Sequence, residues 1–224
     1  DLDLKSRTLT WIQQERTGPW ERRDVALAAH LLEDWLVHDD EHSQRFSLLI
    51  LQRWMIERTH ENEFLEFFHR LLFKILKSED LSPDQAVDLF EKVYRNGLRP
   101  SARAYSMLFN ILAKMSHDPA TCDLADTWIQ RLPSGTEDTV VAQNSYLHFL
   151  AKSSRSDAPE VAQVYLEQHM TSPDERSYAA LLQTYMKSGK VEHLERASEL
   201  LEGLAEQETE DPACFTNVII GPGK

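Results

Sequence analysis

The sequence predicts an all-α protein, a helix-turn-helix repeat solenoid. Three observations lead there. Gly is scarce, at 7 of 224 residues, while Leu, Ala and Glu are common, and these are the residues a helix interior tolerates best. Apolar residues recur at i, i+3 and i+4, with no convincing strand alternation. Four segments also repeat. They begin at Phe68, Tyr105, Gln143 and Tyr178, hence at steps of 37, 38 and 35, and regular spacing of this size marks stacked supersecondary units.

The elements follow in chain order. Residues 1–64 read as a degenerate helical region packing on the array. Leu9 to Gln14 is a short helix ended by Gly18-Pro19. Val25 to Val37 carries apolar residues at 25, 28, 29, 32, 35 and 36, and Phe46 to Ile56 gives a second helix, with His38-Asp39-Asp40-Glu41 between them. Four units follow, over about 65–101, 102–139, 140–174 and 175–211. The second half of each carries a small residue followed by a large apolar pair. These are Ala86 with Leu89 and Phe90, Ala125 with Trp128 and Ile129, Ala162 with Tyr165 and Leu166, and Ala197 with Leu200 and Leu201. The alanine lets a neighbouring helix approach and the pair fills the space beside it. Pro83, Pro119 and Pro159 fall near the starts of second helices, where a missing N–H costs nothing, and Ser82 is placed as an N-cap. Asn96-Gly97, Pro100, Pro133-Ser134-Gly135, Pro173-Asp174 and Asp211-Pro212 are turn chemistry between units. Residues 212–224 hold the start of a further repeat or a capping helix, Phe215 to Ile220, and a tail. One pair cannot bury its apolar faces alone. Stacking pairs does so, and known arrays of this kind are right-handed solenoids.

Charge and motifs exclude several function classes. Lys and Arg number 24 against 37 Asp and Glu, a net charge of -13. The acidity is shared, net -6 over residues 1–97 and net -7 over 98–224. Nucleic-acid binders draw most of their affinity from phosphate neutralisation, so RNA contact here needs a local basic stripe. Cys122 and Cys214 are too few for a disulfide scaffold or a thiolate zinc site. No apolar run reaches the roughly 20 residues of a membrane span. His38 and His42 have i, i+4 spacing but sit in a polar connector. His60-Glu61 lacks the second His of a zincin motif. No Ser-His-Asp arrangement and no Gly-rich phosphate loop is present, and Gly221-Pro222-Gly223-Lys224 has no strand before it or helix after it. The expectation is a noncatalytic protein with no cofactor, no metal and no small-molecule substrate. Trp35, Trp54 and Trp128 read as core, and Trp20 as a candidate partner anchor. The tract Glu206 to Asp211 reads as a solvated acidic surface.

Tyr at the fourth position, Lys at the thirteenth, Ala-x-x-Φ-Φ in the second helix and Pro-Asp at the close together resemble the pentatricopeptide repeat. Tyr178 to Asp211 matches best, through Lys187-Ser188-Gly189, and the segment ending at Pro100 matches in its second helix and closing turn. The tetratricopeptide Trp, Leu-Gly and Tyr spacing is not visible. The resemblance covers about residues 65–220. It implies binding of single-stranded RNA on the concave face, one base per repeat, and a location in mitochondrion or plastid. The chain starts at Asp1 without Met and is read as a mature or trimmed fragment, in which a removed targeting peptide would be invisible. The resemblance also implies that the fifth and last positions of each repeat select the base. Here these are His69 with Ser101, Ser106 with Thr139, Asn144 with Asp174, and Ala179 with Asp211. Asn144 with Asp174 is the familiar combination and favours uracil. The second position, beside the base, is Glu66, Arg103, Val141 and Arg176, of which Val141 is typical.

Lys77, Lys114, Lys152 and Lys187 occupy one position in all four units. Equivalent positions of stacked units form a column, and in the resembling family this position meets phosphate. The competing reading is a cation placed where the C-terminal helix dipole favours it. Two functions are therefore expected. One is single-stranded RNA binding, with these lysines on phosphates and His69, Ser106, Asn144, Asp174 and Val141 at bases. The other is a protein-protein interaction scaffold, a structural subunit of a larger organellar complex, with no RNA.

Overall fold

The computed structural model describes residues 61–77, 83–133 and 137–210. The helices expected before residue 61, the His38/His42 pair, His60 and the segment Phe215 to Ile220 lie outside them. Every regular element among the described residues is helical, with no strand. None of these helices is long and apolar enough to cross a membrane. The chain divides into two units, Asp1–Pro100 and Ser101–Lys224.

The first unit contains α1 (Glu61–Lys77) and α2 (Pro83–Arg95). Phe64, Phe67, Phe68, Leu71 and Leu72 recur along one face of α1, and all are buried. Ala86, Leu89, Phe90 and Val93 do the same on α2, and the Phe68 and Phe90 rings meet at 5.6 Å. The solvent side of α2 carries the i, i+4 pairs Asp88–Lys92 and Glu91–Arg95, each at 2.6 Å. The helix stops where Gly97 takes φ 83°, a conformation that carries no penalty for a residue without Cβ.

The second unit contains α3 (Ala102–Leu112), a 3-10 turn (Ala113–Met115), α4 (Pro119–Ile129), α5 (Glu137–Lys152), α6 (Ala158–His169), α7 (Glu175–Ser188) and α8 (Val191–Glu210). Val140-Val141 lies inside α5. Pro119 opens α4 behind the Asp118 cap, and Pro159 is in the first turn of α6. Gly189 at φ 66° ends α7. Consecutive helices pack against each other from α3 to α8, and α5 also lies between α3 and α7. The first helices α3, α5 and α7 thus form a contiguous row.

The alanines do what their spacing implies. Ala125 and Ala162 are fully buried and Ala197 is 6% exposed. Trp128, Ile129 and Leu166 are buried, so Trp128 is core. The pattern weakens at the last pair, where Leu201 is 50% exposed. One equivalence is hidden in the sequence. Tyr105 Oη donates to Arg131 O at 3.0 Å, and Gln143 Nε2 donates to His169 O at 3.1 Å. Both bonds span 26 residues, from the fourth position of a first helix to the end of its own second helix. A hydroxyl and an amide close successive pairs in the same way.

Candidate functional site

A groove of about 330 Å³ opens on the row of first helices. Asn110 of α3, Val141, Asn144, Ser145 and His148 of α5, and Arg176, Ala179, Ala180 and Gln183 of α7 line it. No Asp or Glu is among them. Asn110, His148 and Gln183 each stand four residues after a fifth-position residue, so one helical turn places them on the same face.

Of the expected base contacts, Val141 and Asn144 come together here. Val141 is 46% exposed. Asn144 is buried and largely engaged by the protein. Its Nδ2 donates to Asp174 Oδ1 at 2.8 Å, and its Oδ1 accepts from Ser177 Oγ at 2.6 Å. One Nδ2 proton remains. Asp174 is the N-cap of α7, accepting from Ser177 N–H at 3.0 Å while its own N–H donates to Ser177 Oγ at 3.0 Å. Asn144 therefore pegs α5 to the head of α7. Ser106 is likewise committed. Ser145 donates to Val141 O at 3.0 Å, so the 2.7 Å contact between the two hydroxyls has Ser106 as donor. Thr139, paired with Ser106 in the sequence reading, donates instead to Pro133 O. His69 lies in the first unit, tilted against Phe68 at 6.4 Å.

Burial raises the Asp174 carboxyl, but hydrogen bonds from Ser177 and Asn144 outweigh it and hold it below its usual range. A depressed folded value means that the cap stabilises above the unfolded value and fades as pH falls through the folded one. Asp174→Ala is expected to lose about 1 kcal/mol at neutral pH, with the gap to wild type closing in acid. Urea unfolding at the two pH values checks it, and a gap independent of pH would refute the assignment.

The four lysines occupy different surroundings. Lys187 Nζ donates to Lys152 O at 2.6 Å and to Ser153 O at 2.7 Å. It caps the end of the neighbouring helix α5 rather than that of its own helix. Lys77, in the first unit, has Nζ 5.7 Å from the Phe73 ring centroid. Lys114 is exposed in the 3-10 turn. Lys152 is exposed at the end of α5. Among the described residues no hydrogen bond or ion pair engages the Lys152 ammonium or the guanidinium groups of Arg103 and Arg176. All three cations are on first helices. In the repeat pattern Arg176 and Arg103 figure only as departures from the second position, and Asn110, His148 and Gln183 do not figure at all. The signal shared by those last three is the register one turn beyond the fifth position.

Two other polar places are tied up internally. A larger cavity of about 630 Å³ lies among α4, α5 and α6, lined in part by Asp126, Gln143, Tyr146 and Tyr165. Asp126 there accepts from Tyr146 Oη at 2.6 Å and from Arg155 Nη1 at 2.5 Å, and Gln143 holds His169 O. A hydroxyl–imidazole–carboxylate line also occurs. Ser188 Oγ is 2.7 Å from His193 Nδ1, and His193 Nε2 is 3.1 Å from Glu160 Oε1. The Ser188 hydroxyl donates to Tyr185 O at 2.8 Å and His193 is 2% exposed, so the line joins α6, α7 and α8 rather than presenting a nucleophile. Among the described residues no group of three His, Cys, Asp or Glu could hold a metal ion.

No family model matches the chain, and no curated protein matches it either.

Proposed function

We propose that the chain is a noncatalytic, pentatricopeptide-like α-solenoid that binds single-stranded RNA along the face formed by α3, α5 and α7. The observation that carries this reading is the sorting of charge between the two kinds of helix in the second unit. With the 3-10 turn, the first helices carry Arg103, Lys114, Lys152, Arg176 and Lys187 against Glu137, Asp138 and Glu175. These three acids all sit in first turns. The second helices carry only Arg196 against eleven Asp and Glu, seven of them on α8. A net charge of -13 is thus compatible with a local basic row, and Arg103, Lys152 and Arg176 are on it.

In this reading Lys152, Arg176 and Arg103 meet phosphate, whose neutralisation supplies most of the affinity. Asn144 offers a base its one remaining N–H, with Val141 beside it. A single donor suits a carbonyl edge such as that of uracil, but reads little else. Lys187 and Ser106 hold the scaffold together. The organellar location rests on the repeat resemblance alone.

The test is fluorescence anisotropy with a labelled mixed-sequence single-stranded RNA at low and high salt. Lys152→Glu with Arg176→Glu is expected to weaken binding roughly tenfold or more and to flatten the salt dependence, by about 0.7 in log–log slope for each phosphate that is no longer neutralised. Lys187→Gln is expected to change RNA affinity little. No binding at low salt, or full affinity in the double variant, would sink the reading and favour the alternative, a protein-protein interaction scaffold in a larger organellar complex.

A further inference from the structure

From the groove geometry we infer that His148 is a proton-dependent anion contact, so that RNA binding by this face is coupled to proton uptake. The inference rests on the RNA reading above and adds a regulation to it.

His148 lies in the groove wall on α5, partly exposed, between residues of α3 and α7. No carboxylate lines the groove beside it, and the charges nearest it are cations. On its own helix the ionisable neighbour is Lys152, one turn further on. From α7 comes Arg176, and from α3 comes Asn110, which does not titrate. The 3-10 turn packed on α5 carries Lys114. Helices α4 and α6 contribute nothing to the groove lining. The carboxylate bonded to a lining residue, Asp174, is taken up by Asn144 and the α7 N-terminus.

Burial, and then the Lys152 charge, hold this imidazole below its ordinary value. In the free protein it is therefore neutral at neutral pH. A phosphate in the groove reverses the balance, because it offsets the neighbouring cations and favours the imidazolium. Binding then takes up a proton, and by linkage affinity rises as pH falls. A groove whose histidine is already paired with a carboxylate would show no such uptake, since that histidine is charged before RNA arrives.

The experiment titrates the full chain with a labelled mixed-sequence single-stranded RNA at fixed low salt. For one linked proton, Kd is expected to tighten roughly fivefold between pH of about 7.5 and about 5.5. His148→Gln should keep the helical circular dichroism and lose the pH dependence. His148→Arg should bind tightly at both pH values, because its cation is permanent. Measurable RNA binding that is independent of pH in wild type, or a His148→Gln protein that keeps the pH slope, overturns the inference while leaving RNA binding in place. Absence of RNA binding at either pH overturns both.

Discussion

Asp126→Ala is expected to lower the unfolding free energy of the second unit by about 3 kcal/mol. The carboxylate is the hub of a three-helix junction. Tyr146 Oη of α5 donates to Oδ1 at 2.6 Å, and Arg155, in the loop before α6, donates to Oδ2 at 2.5 Å. Arg155 also grips Asp157 through two 3.0 Å bonds. Burial and the bond to Asp126 hold the Tyr146 phenol far above its ordinary value, so it stays a donor throughout the neutral and mildly alkaline range. Removing the carboxylate leaves the hydroxyl of a tyrosine that is 2% exposed without its acceptor, and a guanidinium 19% exposed with Asp157 as its remaining partner. Breaking a buried pair costs about 3–5 kcal/mol. About a third of the Asp126 side chain reaches solvent, at 32%, which places the effect at the lower end. Asp126→Asn keeps an acceptor for Tyr146 and removes only the charge, so it should lose roughly half as much. Urea unfolding of the three proteins measures this. A loss below about 0.5 kcal/mol in the alanine variant would mean the junction behaves as a surface ion pair.

This junction also marks where the sequence becomes hard to read. Asp126 and Tyr146 are 20 residues apart and Asp126 and Arg155 are 29 apart. No local pattern pairs them. What periodicity can reveal, it does. Ala86, Ala125, Ala162 and Ala197 are buried where i, i+3, i+4 spacing puts them, and Pro83, Pro119 and Pro159 sit in first turns, because both features act within one helix. The repeat pattern pairs Asn144 and Asp174 as a base selector. The two do meet, at 2.8 Å, but as a bond that closes α5 on α7. A recognition pair and a structural peg require the same residue types at the same spacing, so the sequence leaves them equivalent. Lys187 shows the same ambiguity, since a lysine of the column also bonds two carbonyls at the end of the neighbouring helix. Within the second unit, Arg103, Lys152 and Arg176 stand out, among the described residues, as cations that no hydrogen bond or ion pair engages. That property depends on where every carboxylate lies in space, and no motif encodes it. The overall acidity of the chain hides it further, since in the second unit the acids gather on α4, α6 and α8.

Phe109→Ala is expected to cost about 3–5 kcal/mol, the range for removing a fully buried ring, and to do so for the whole second unit. Phe109 has 0% exposure. It is a middle link in a chain of aromatic contacts that crosses four helices. Trp128 of α4 meets Tyr105 of α3 edge-on at 6.1 Å, and Tyr105 meets Phe109 at 6.4 Å. Phe109 meets Tyr146 of α5 edge-on at 5.5 Å, and Tyr146 meets Tyr165 of α6 at 5.0 Å. Such contacts add about 0.5–1.5 kcal/mol each beyond burial. Removing Phe109 breaks the chain between α3 and α5 and opens a cavity at their contact. The α3–α4 pair packs on the rest of the unit chiefly through α5, so a cut there uncouples that pair from the rest. Wild type should unfold in one transition, with far- and near-ultraviolet dichroism coincident. The variant should show an earlier loss of the Trp128 signal, because that ring lies on the uncoupled side. Met186→Ala is the control. Met186 is 67% exposed and should shift stability by less than about 0.5 kcal/mol. A Phe109→Ala protein that loses less than about 1 kcal/mol, or unfolds with its two signals still coincident, would mean that the aromatic chain does not couple the pairs.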